Sequence, residues 1–213
     1  MAEPVWGESF PLILSGPSGA GKSTIAQELV RHLPRAWLSV SATTRKPRAG
    51  ESDGVDYRFL DRAQFERERE AGNFLEWAEV HGQYYGTPQE PMEEVRRRGE
   101  LPILDIDVQG GVQVRSLLPM SVLVFLLPPS LAILEERLRN RGSDSEAEVA
   151  KRMHNALREM EFVDRYDYLV VNHDVERTIA TITGIIRAEN RRCSRLPRGR
   201  DWDPLLRRQD GLF

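Results

Sequence analysis

Residues 12–24 read Leu12-Ile13-Leu14-Ser15-Gly16-Pro17-Ser18-Gly19-Ala20-Gly21-Lys22-Ser23-Thr24. An apolar run typical of a buried strand leads into the glycines, and a segment with the apolar spacing of a helix follows them. The spacing of Gly16 from Gly21-Lys22-Ser23 is that of a phosphate-binding loop. Glycines allow backbone N–H groups to converge on phosphate oxygens, and the helix N-terminus adds a favourable partial charge. We therefore predict a nucleotide site in which Lys22 reaches the β- and γ-phosphates and the Ser23 hydroxyl ligates Mg²⁺.

The overall composition is that of a globular chain with one large domain, or with one core that carries inserted pieces. Charged residues make up 30% and hydrophobic residues 40% of the 213 residues. The net charge of −3 gives no reason to expect nucleic-acid binding. The longest apolar stretch, Val122–Leu127, is too short to span a membrane, and residues 1–20 lack the features of a signal peptide. The only cysteine, Cys193, excludes an internal disulfide, so we expect a cytoplasmic protein.

Strand-like and helix-like segments alternate along most of the chain. Strands are expected at 12–15, 36–41, 102–107, 122–127 and 168–171, and helices from Thr24, over 61–72, 88–98, 130–139 and 143–162, and after Asp174. This alternation predicts an α/β fold with a parallel sheet and helices on both faces. The turn-rich stretch from 42 to 94, which also contains two short antiparallel strands, interrupts the alternation. We expect it to be an insertion at the carboxyl ends of the strands, where such sheets bind ligands.

A second group of polar residues lies in this insertion. Arg45 and Arg48 flank a proline, and Tyr57 and Tyr85 follow them in the same stretch. Guanidinium forks and phenolic hydroxyls suit a second phosphate, one carried as a monoester. An ordinary solvated basic turn explains the two arginines about as well when they are considered alone.

Glu76 lies in a largely apolar run, where an unpaired carboxylate is costly. A carboxylate can accept hydrogen bonds from the N1–H and the 2-amino group of guanine together. Adenine presents an acceptor at N1 and is repelled by the same group. The alternative is that Glu76 is an ordinary strand residue whose side chain faces water.

With these segments in view, the chain resembles the guanylate kinases. The resemblance covers roughly residues 10–190 in the order and spacing of that family, and the segments that carry it are 16–24, 41–48, 54–57, 74–78, 84–87 and 103–110. It implies an α/β P-loop NTPase fold with a parallel five-stranded core sheet flanked by helices, an inserted small α+β GMP-binding domain and a helical lid. On this basis we expect core segments at 1–41, 95–136 and 163–195, the GMP-binding insertion at 42–94, the lid at 137–162 and a C-terminal tail at 196–213.

The resemblance also implies roles for individual residues. It implies that ATP is bound by Gly16 to Thr24 and by Asn172, which would lie near the adenine. It implies that the guanine is surrounded by Ser41, Glu76, Thr87 and Asp107, and that the GMP phosphate is held by Arg45, Arg48, Tyr57 and Tyr85. Mg²⁺ would be held by Ser23 and, through water, by Asp105. The implied catalytic residues are Lys22, Arg45, Arg137, Arg141 and Arg152.

The activity implied is transfer of the γ-phosphoryl group of ATP to GMP or dGMP, with Mg²⁺ as cofactor. The expected partners are ATP and GMP, with no nucleic acid and no membrane, and the expected assembly is a monomer or homodimer. One alternative is a non-catalytic guanylate-kinase-like module that binds proteins, although such modules typically have a degraded phosphate loop or GMP site. Another is a kinase of a different phosphorylated small molecule on the same fold, which Glu76 argues against.

Overall fold

A computed structural model describes residues 9–48, 50–80, 82–140 and 146–195. In chain order the elements are β1 (Leu12–Ser15), α1 (Lys22–His32), β2 (Ala36–Leu38), β3 (Ala42–Thr43), β4 (Arg58–Phe59), α2 (Arg62–Glu70), β5 (Phe74–Val80), β6 (Gln83–Pro88), α3 (Gln89–Arg97), β7 (Leu101–Asp105), α4 (Val108–Leu117), β8 (Val122–Leu127), α5 (Leu131–Arg139), α6 (Glu146–Met160), β9 (Tyr168–Val171) and α7 (Val175–Glu189). Short 3-10 helices lie at Val163–Arg165 and Cys193–Arg195. No helix in these ranges is both long and apolar enough to cross a bilayer.

Five of the strands form one parallel sheet in the order β2-β7-β1-β8-β9. Successive residues of β1 face opposite sides of it, as strand geometry requires. Leu12 and Leu14 pack in the cluster that includes residues of α1 and α7, whereas Ile13 packs in the cluster that includes residues of α3 and α4. Because both faces are covered, the central strands β1, β7 and β8 are apolar except for Ser15 and Asp105 at the carboxyl ends of β1 and β7. This confirms the predicted α/β fold with a parallel five-stranded core.

The other four strands form a smaller mixed sheet in the order β4-β3-β6-β5. β3 pairs with β4 in parallel, and the remaining pairs are antiparallel. Phe65 of α2 stacks on Phe74 and Tyr84 of this sheet, with ring centroids 4.6 and 5.4 Å apart. The small sheet therefore has an aromatic core of its own.

The predicted strand at 36–41 is divided in the structure. Ala36–Leu38 pairs with β7 in the core sheet, whereas Ala42–Thr43 pairs in the small sheet. Residues 39–41 carry the chain from one sheet to the other. An extended pattern continues through this crossing, so the sequence does not reveal where the strand changes partners.

The helix α4 is absent from the sequence-based expectations because it contains Gly110 and Gly111. Glycine in a helix costs about 1 kcal/mol relative to alanine. A Cβ atom at Gly110 would lie 2.6 Å from Glu76 Oε2, and one at Gly111 would collide with the Tyr166 hydroxyl. Close packing thus requires glycine at both positions, and these glycines are the reason that the sequence pattern does not predict a helix here.

Two further helices, α5 and α6, pack together through Leu134, Leu138 and Ala156. The helix predicted at 130–139 is α5, and Ser130 caps it, since its hydroxyl accepts a hydrogen bond from Ile133 N at 3.2 Å. The predicted start of α6 at Ser143 lies outside the described residues, and so does the tail at 196–213.

A buried ion pair fixes the end of the described chain. Arg195 and Glu189 have side chains only 3% and 2% exposed, and their charged atoms are 2.8 Å apart. Arg195 also donates to Met120 O at 2.7 Å, and its guanidinium lies 4.2 Å from the Phe10 ring centroid. Tyr168 donates its hydroxyl proton to Glu189 at 2.5 Å. These contacts hold the last 3-10 helix against the amino ends of β1 and β8.

Candidate active site

The loop between β1 and α1 is shaped by glycines with positive φ. Gly16, Gly19 and Gly21 have φ of 141°, 92° and 95°, a region that favours glycine over other residues. Gly21 is the N-cap of α1 and offers no side chain to its first N–H groups, and the first turn contains no acidic residue. The N–H groups at the start of α1 are therefore not capped by a neighbouring side chain, as an anion site at a helix N-terminus requires.

Lys22 folds back over this loop. Its Nζ donates to Gly16 O at 2.7 Å and to Pro17 O at 3.2 Å, which holds the ammonium group beside the loop backbone. Ser23 Oγ donates to Asp105 Oδ2 at 2.6 Å. Ser23 lies in the first turn of α1 and Asp105 is the last residue of β7. A hydroxyl and a carboxylate are hard oxygen ligands, and they suit Mg²⁺ that is also bound by phosphate.

One cleft joins the phosphate loop to the small sheet. The predicted site residues that line it are Gly16, Ser18, Gly19, Gly21, Lys22, Ser23, Ser41, Arg48, Tyr57, Glu76, Tyr85, Asp105 and Asp107. Residues predicted for the two nucleotides thus meet across a single opening, although they come from two different sheets.

Two carboxylates occupy the end of the cleft away from the loop. Glu76 is 6% exposed and accepts a hydrogen bond from Thr87 Oγ1 at 2.6 Å across the β5–β6 pair. Asp107 caps α4, and its Oδ1 accepts from Gly110 N at 2.7 Å. Burial raises the pKa of Glu76 to about 7, although the hydrogen bond from Thr87 opposes that rise, and the charge of Asp107 adds to it. Burial also raises the pKa of Asp107.

Gly110 belongs to this end of the cleft and was not singled out from the sequence. It leaves the space next to Glu76 Oε2 that a Cβ atom would occupy. Its signal is the Gly110-Gly111 pair in a segment that otherwise lacks turn residues, which on its own indicates only a close approach of some neighbour.

Of the four residues predicted for a second phosphate, Arg48, Tyr57 and Tyr85 line the cleft, whereas Arg45 does not. Arg45 forms a bidentate pair with Glu51, with both N–O distances 2.8 Å, and its guanidinium lies 5.2 Å from the centre of the Tyr57 ring. Glu51 also accepts from Arg48 N at 2.7 Å. The rings of Tyr57 and Tyr85 meet edge to face at 6.0 Å. Burial raises the pKa of Tyr57 to about 12, so its hydroxyl stays protonated and can donate.

Glu51 was missed by sequence reasoning. Its hydrogen bonds with Arg45 hold the pKa of its carboxyl below the usual range, even though burial opposes the shift. Its carboxylate orients Arg45 and fixes the turn that carries Arg48. The available signal was that Glu51 is the first acidic residue after a run of basic ones, three positions after Arg48.

The helices α5 and α6 also contact the phosphate loop, and Glu159 of α6 lines the same cleft. Arg137 donates to Gly19 O at 3.4 Å, and Glu159 accepts a hydrogen bond from Ser18 N at 3.1 Å. Glu159 was not singled out from the sequence. Arg152 lies half-buried on α6 and does not line the cleft. Arg141 lies outside the described residues.

Asn172 follows β9 and is 5% exposed. Its Nδ2 donates to Ala20 O at 2.8 Å, and its Oδ1 accepts from Thr178 Oγ1 at 3.1 Å. The side chain thus lies beneath the phosphate loop, and its contact with an adenine stays a prediction.

Comparisons with a family model, with curated sequences and with solved structures all point to the same family. The guanylate kinase family model matches residues 8–189. Guanylate kinase from Carboxydothermus hydrogenoformans is 49% identical over 87% of this chain and 91% of its own length, and that from Desulfitobacterium hafniense is 46% identical over 87% and 93%. The crystal structure of guanylate kinase from Anaplasma phagocytophilum superposes with a TM-score of 0.76 at 35% identity, over 89% of this chain and 90% of that one. The chain belongs to the guanylate kinase family.

Proposed function

We propose that this protein transfers the γ-phosphoryl group of ATP to GMP or dGMP, giving ADP and GDP or dGDP. The observation that carries the proposal is one cleft that is lined by the phosphate loop and by two carboxylates, the buried Glu76 and the half-buried Asp107. ATP binds at Gly16 to Thr24, and GMP binds along the small sheet. Family membership supports the same assignment.

The guanine is read by hydrogen-bond acceptors. An ionised Glu76 accepts from the N1–H and the 2-amino group, while Ser41, Thr87 and Asp107 complete the surroundings of the base. Adenine at the same position would face a carboxylate with its N1 acceptor and would lack the 2-amino donor. A site built to pair with polar groups rejects analogues that lack them, because its buried groups are then left unpaired.

The GMP phosphate is held by Arg45, Arg48, Tyr57 and Tyr85. One of its oxygens attacks the γ-phosphorus in line, and the bond from that phosphorus to the β-phosphate oxygen breaks. The second pKa of a phosphate monoester is about 6, so the attacking group is largely ionised near neutral pH and needs no protein base. The protein therefore contributes position and charge rather than a proton acceptor.

Charge on the transferring group is balanced by Lys22 and by Arg137, Arg141 and Arg152 of the lid. Ser23 Oγ and, through water, Asp105 would hold Mg²⁺, which would supply positive charge to offset the charge that develops on the phosphates. The side chains of Ser23 and Asp105 already contact each other at 2.6 Å.

We assign the segments 1–41, 95–136 and 163–195 to the core, 42–94 to GMP binding and 137–162 to the lid. Closure of the insertion and the lid over the core excludes water, which would otherwise accept the phosphoryl group. We further propose that the enzyme works in the cytoplasm as a monomer or homodimer, without a nucleic-acid or membrane partner.

The test is a coupled assay of ADP formation with MgATP and each of GMP, dGMP, AMP, CMP and UMP as acceptor. We expect turnover with GMP and dGMP, and at least about a hundredfold lower kcat/KM with the other three. Equal use of AMP or a pyrimidine nucleotide would identify a kinase of another acceptor. A folded protein that binds GMP without turning over would be a binding module.

A further inference from the structure

Asn172 occupies a fixed position at the carboxyl edge of the core sheet. It follows the last strand, β9, and its backbone N donates to Leu127 O at 2.8 Å. Thr178, whose hydroxyl bonds the Asn172 side chain, is only 1% exposed and lies in the first turns of α7. Leu127 and Thr178, the two residues that hold Asn172, both belong to elements that pack in the core.

The orientation of the Asn172 amide follows from its partners. Ala20 O can only accept a hydrogen bond, so the group that faces it at 2.8 Å must be the NH₂. The amide oxygen is thereby directed to the Thr178 hydroxyl, 3.1 Å away. A chain of two buried hydrogen bonds runs from α7 through Asn172 to the backbone of the phosphate loop.

Gly21 is in direct contact with the same amide. A Cβ atom at Gly21 would lie 2.5 Å from Asn172 Nδ2, and the φ of +95° at this residue is also unfavourable for other residues. Ala20 and Gly21 immediately precede Lys22 and Ser23, whose backbone N–H groups begin α1. The Asn172 amide therefore supports the loop where it turns into the helix.

We propose that Asn172 is a positioning residue that braces the phosphate loop, so that the N–H groups at the start of α1 stay directed at the nucleotide phosphates. The proposal rests on the assignment of this loop to ATP. A brace of this kind acts before the ligand arrives, because preorganised donors need no rearrangement when charge is placed against them. Its effect is on the triphosphate and is independent of the base attached to it.

The brace and an adenine contact predict different results for Asn172→Asp. The variant places a carboxylate oxygen against Ala20 O, where no donor remains. We expect kcat/KM to fall by about 10- to 100-fold, and by the same factor for ATP, GTP and CTP as phosphoryl donors. Binding of magnesium tripolyphosphate, measured by calorimetry, should weaken by a similar factor. GMP affinity should stay within about twofold of wild type.

Thr178→Val provides a second variant, which leaves Asn172 itself in place. It removes only the hydroxyl that orients the amide, so we expect a loss of about 3- to 10-fold, again equal for all three donors and for tripolyphosphate. Thr181→Val is the matched control, because the Thr181 hydroxyl bonds Arg177 O on the exposed side of the same helix. It should leave every value unchanged.

A loss confined to ATP would show that Asn172 reads the adenine and would overturn the proposal. Unchanged tripolyphosphate binding in Thr178→Val would overturn it too, even if Asn172→Asp failed to fold. Wild-type protein that binds tripolyphosphate but does not phosphorylate GMP would contradict the proposed function alone, since the binding comparison needs no turnover.

Discussion

The two ends of the cleft offer different kinds of binding groups to a ligand. At the phosphate end, the groups available to a ligand are largely backbone N–H groups of one continuous segment, whose course depends on three glycines with positive φ. The ammonium group of Lys22 lies beside them. At the other end they are side chains from separate elements, the buried Glu76 and the half-buried Asp107. Backbone donors do not titrate, whereas buried carboxylates do, and here their pKa values are raised. The backbone N–H groups of the phosphate loop should therefore not respond to pH, whereas the base end should be sensitive to it.

The largest effect should come from the only charged side chain of the phosphate loop. Lys22→Ala removes the ammonium group that lies beside Gly16 O and Pro17 O. Loss of one such charge at a transferring group costs about 2.7–4 kcal/mol, so we expect kcat to fall by about 10²- to 10³-fold. GMP affinity, measured by calorimetry, should be unchanged. Retention of more than about a tenth of the wild-type kcat would remove Lys22 from the mechanism.

At the base end, Glu76→Gln keeps the side-chain shape but turns a donor toward the guanine N–H groups. We expect kcat/KM for GMP to fall about a hundredfold, while the KM for ATP is unchanged. A change confined to ATP would reverse the assignment of the two ends.

The same variant also tests the pKa of Glu76. An acid whose pKa is raised by folding loses stability as the pH increases from its unfolded value of 4.5 to its folded value of about 7. Glutamine cannot lose a proton, so Glu76→Gln should have a Tm at pH 8 that is equal to or above that of wild type. A lower Tm at pH 8 would indicate that the loss of activity reflects misfolding.

A smaller change is expected where the base end meets α4. Gly110→Ala places a Cβ atom 2.6 Å from Glu76 Oε2, so the carboxylate must move. We expect the KM for GMP to rise by about 10- to 30-fold, because displacement of a binding group by less than 1 Å is felt strongly. Gly184→Ala, in α7, meets nothing within 4 Å and serves as the control. Equal GMP kinetics in the two variants would show that the clearance at Gly110 is not needed.

The smallest effect is a pH dependence. Only the ionised Glu76 accepts hydrogen bonds from both guanine groups, and with a pKa of about 7 its ionised fraction increases about tenfold between pH 6 and pH 8. Guanosine, which lacks the phosphate and its own titration, should therefore bind about tenfold more tightly at pH 8. The dependence should vanish in Glu76→Gln. A dependence that persists in Glu76→Gln would show that a group other than Glu76 titrates at the base end.

The phosphate end of the cleft could be predicted from local sequence patterns, whereas most of the base end could not. The phosphate loop is contiguous, so its strand, glycines and helix are legible together, and the core sheet follows from buried apolar runs. The base end depends on contacts between distant segments. Gly110 matters because of Glu76, 34 positions earlier. Even at the phosphate loop one contact is distant, since Glu159 meets Ser18 from 141 positions away. A local sequence pattern does not predict contacts between residues so far apart in the chain. Apart from Glu76, the residues around the guanine could be predicted only from the resemblance to a family.

The buried pair Glu189–Arg195 decides where the chain can be shortened. Removing one partner of a buried ion pair costs about 3–5 kcal/mol, because the remaining charge is left without compensation. A deletion that reaches Arg195 would leave Glu189 in that state and would also remove the guanidinium from Phe10 and from Met120 O. A chain that stops after Leu196 keeps the pair, and we expect its kcat and GMP affinity to stay within about twofold of the full-length protein. For the engineer, the safe attachment point for a tag or fusion partner begins at residue 196.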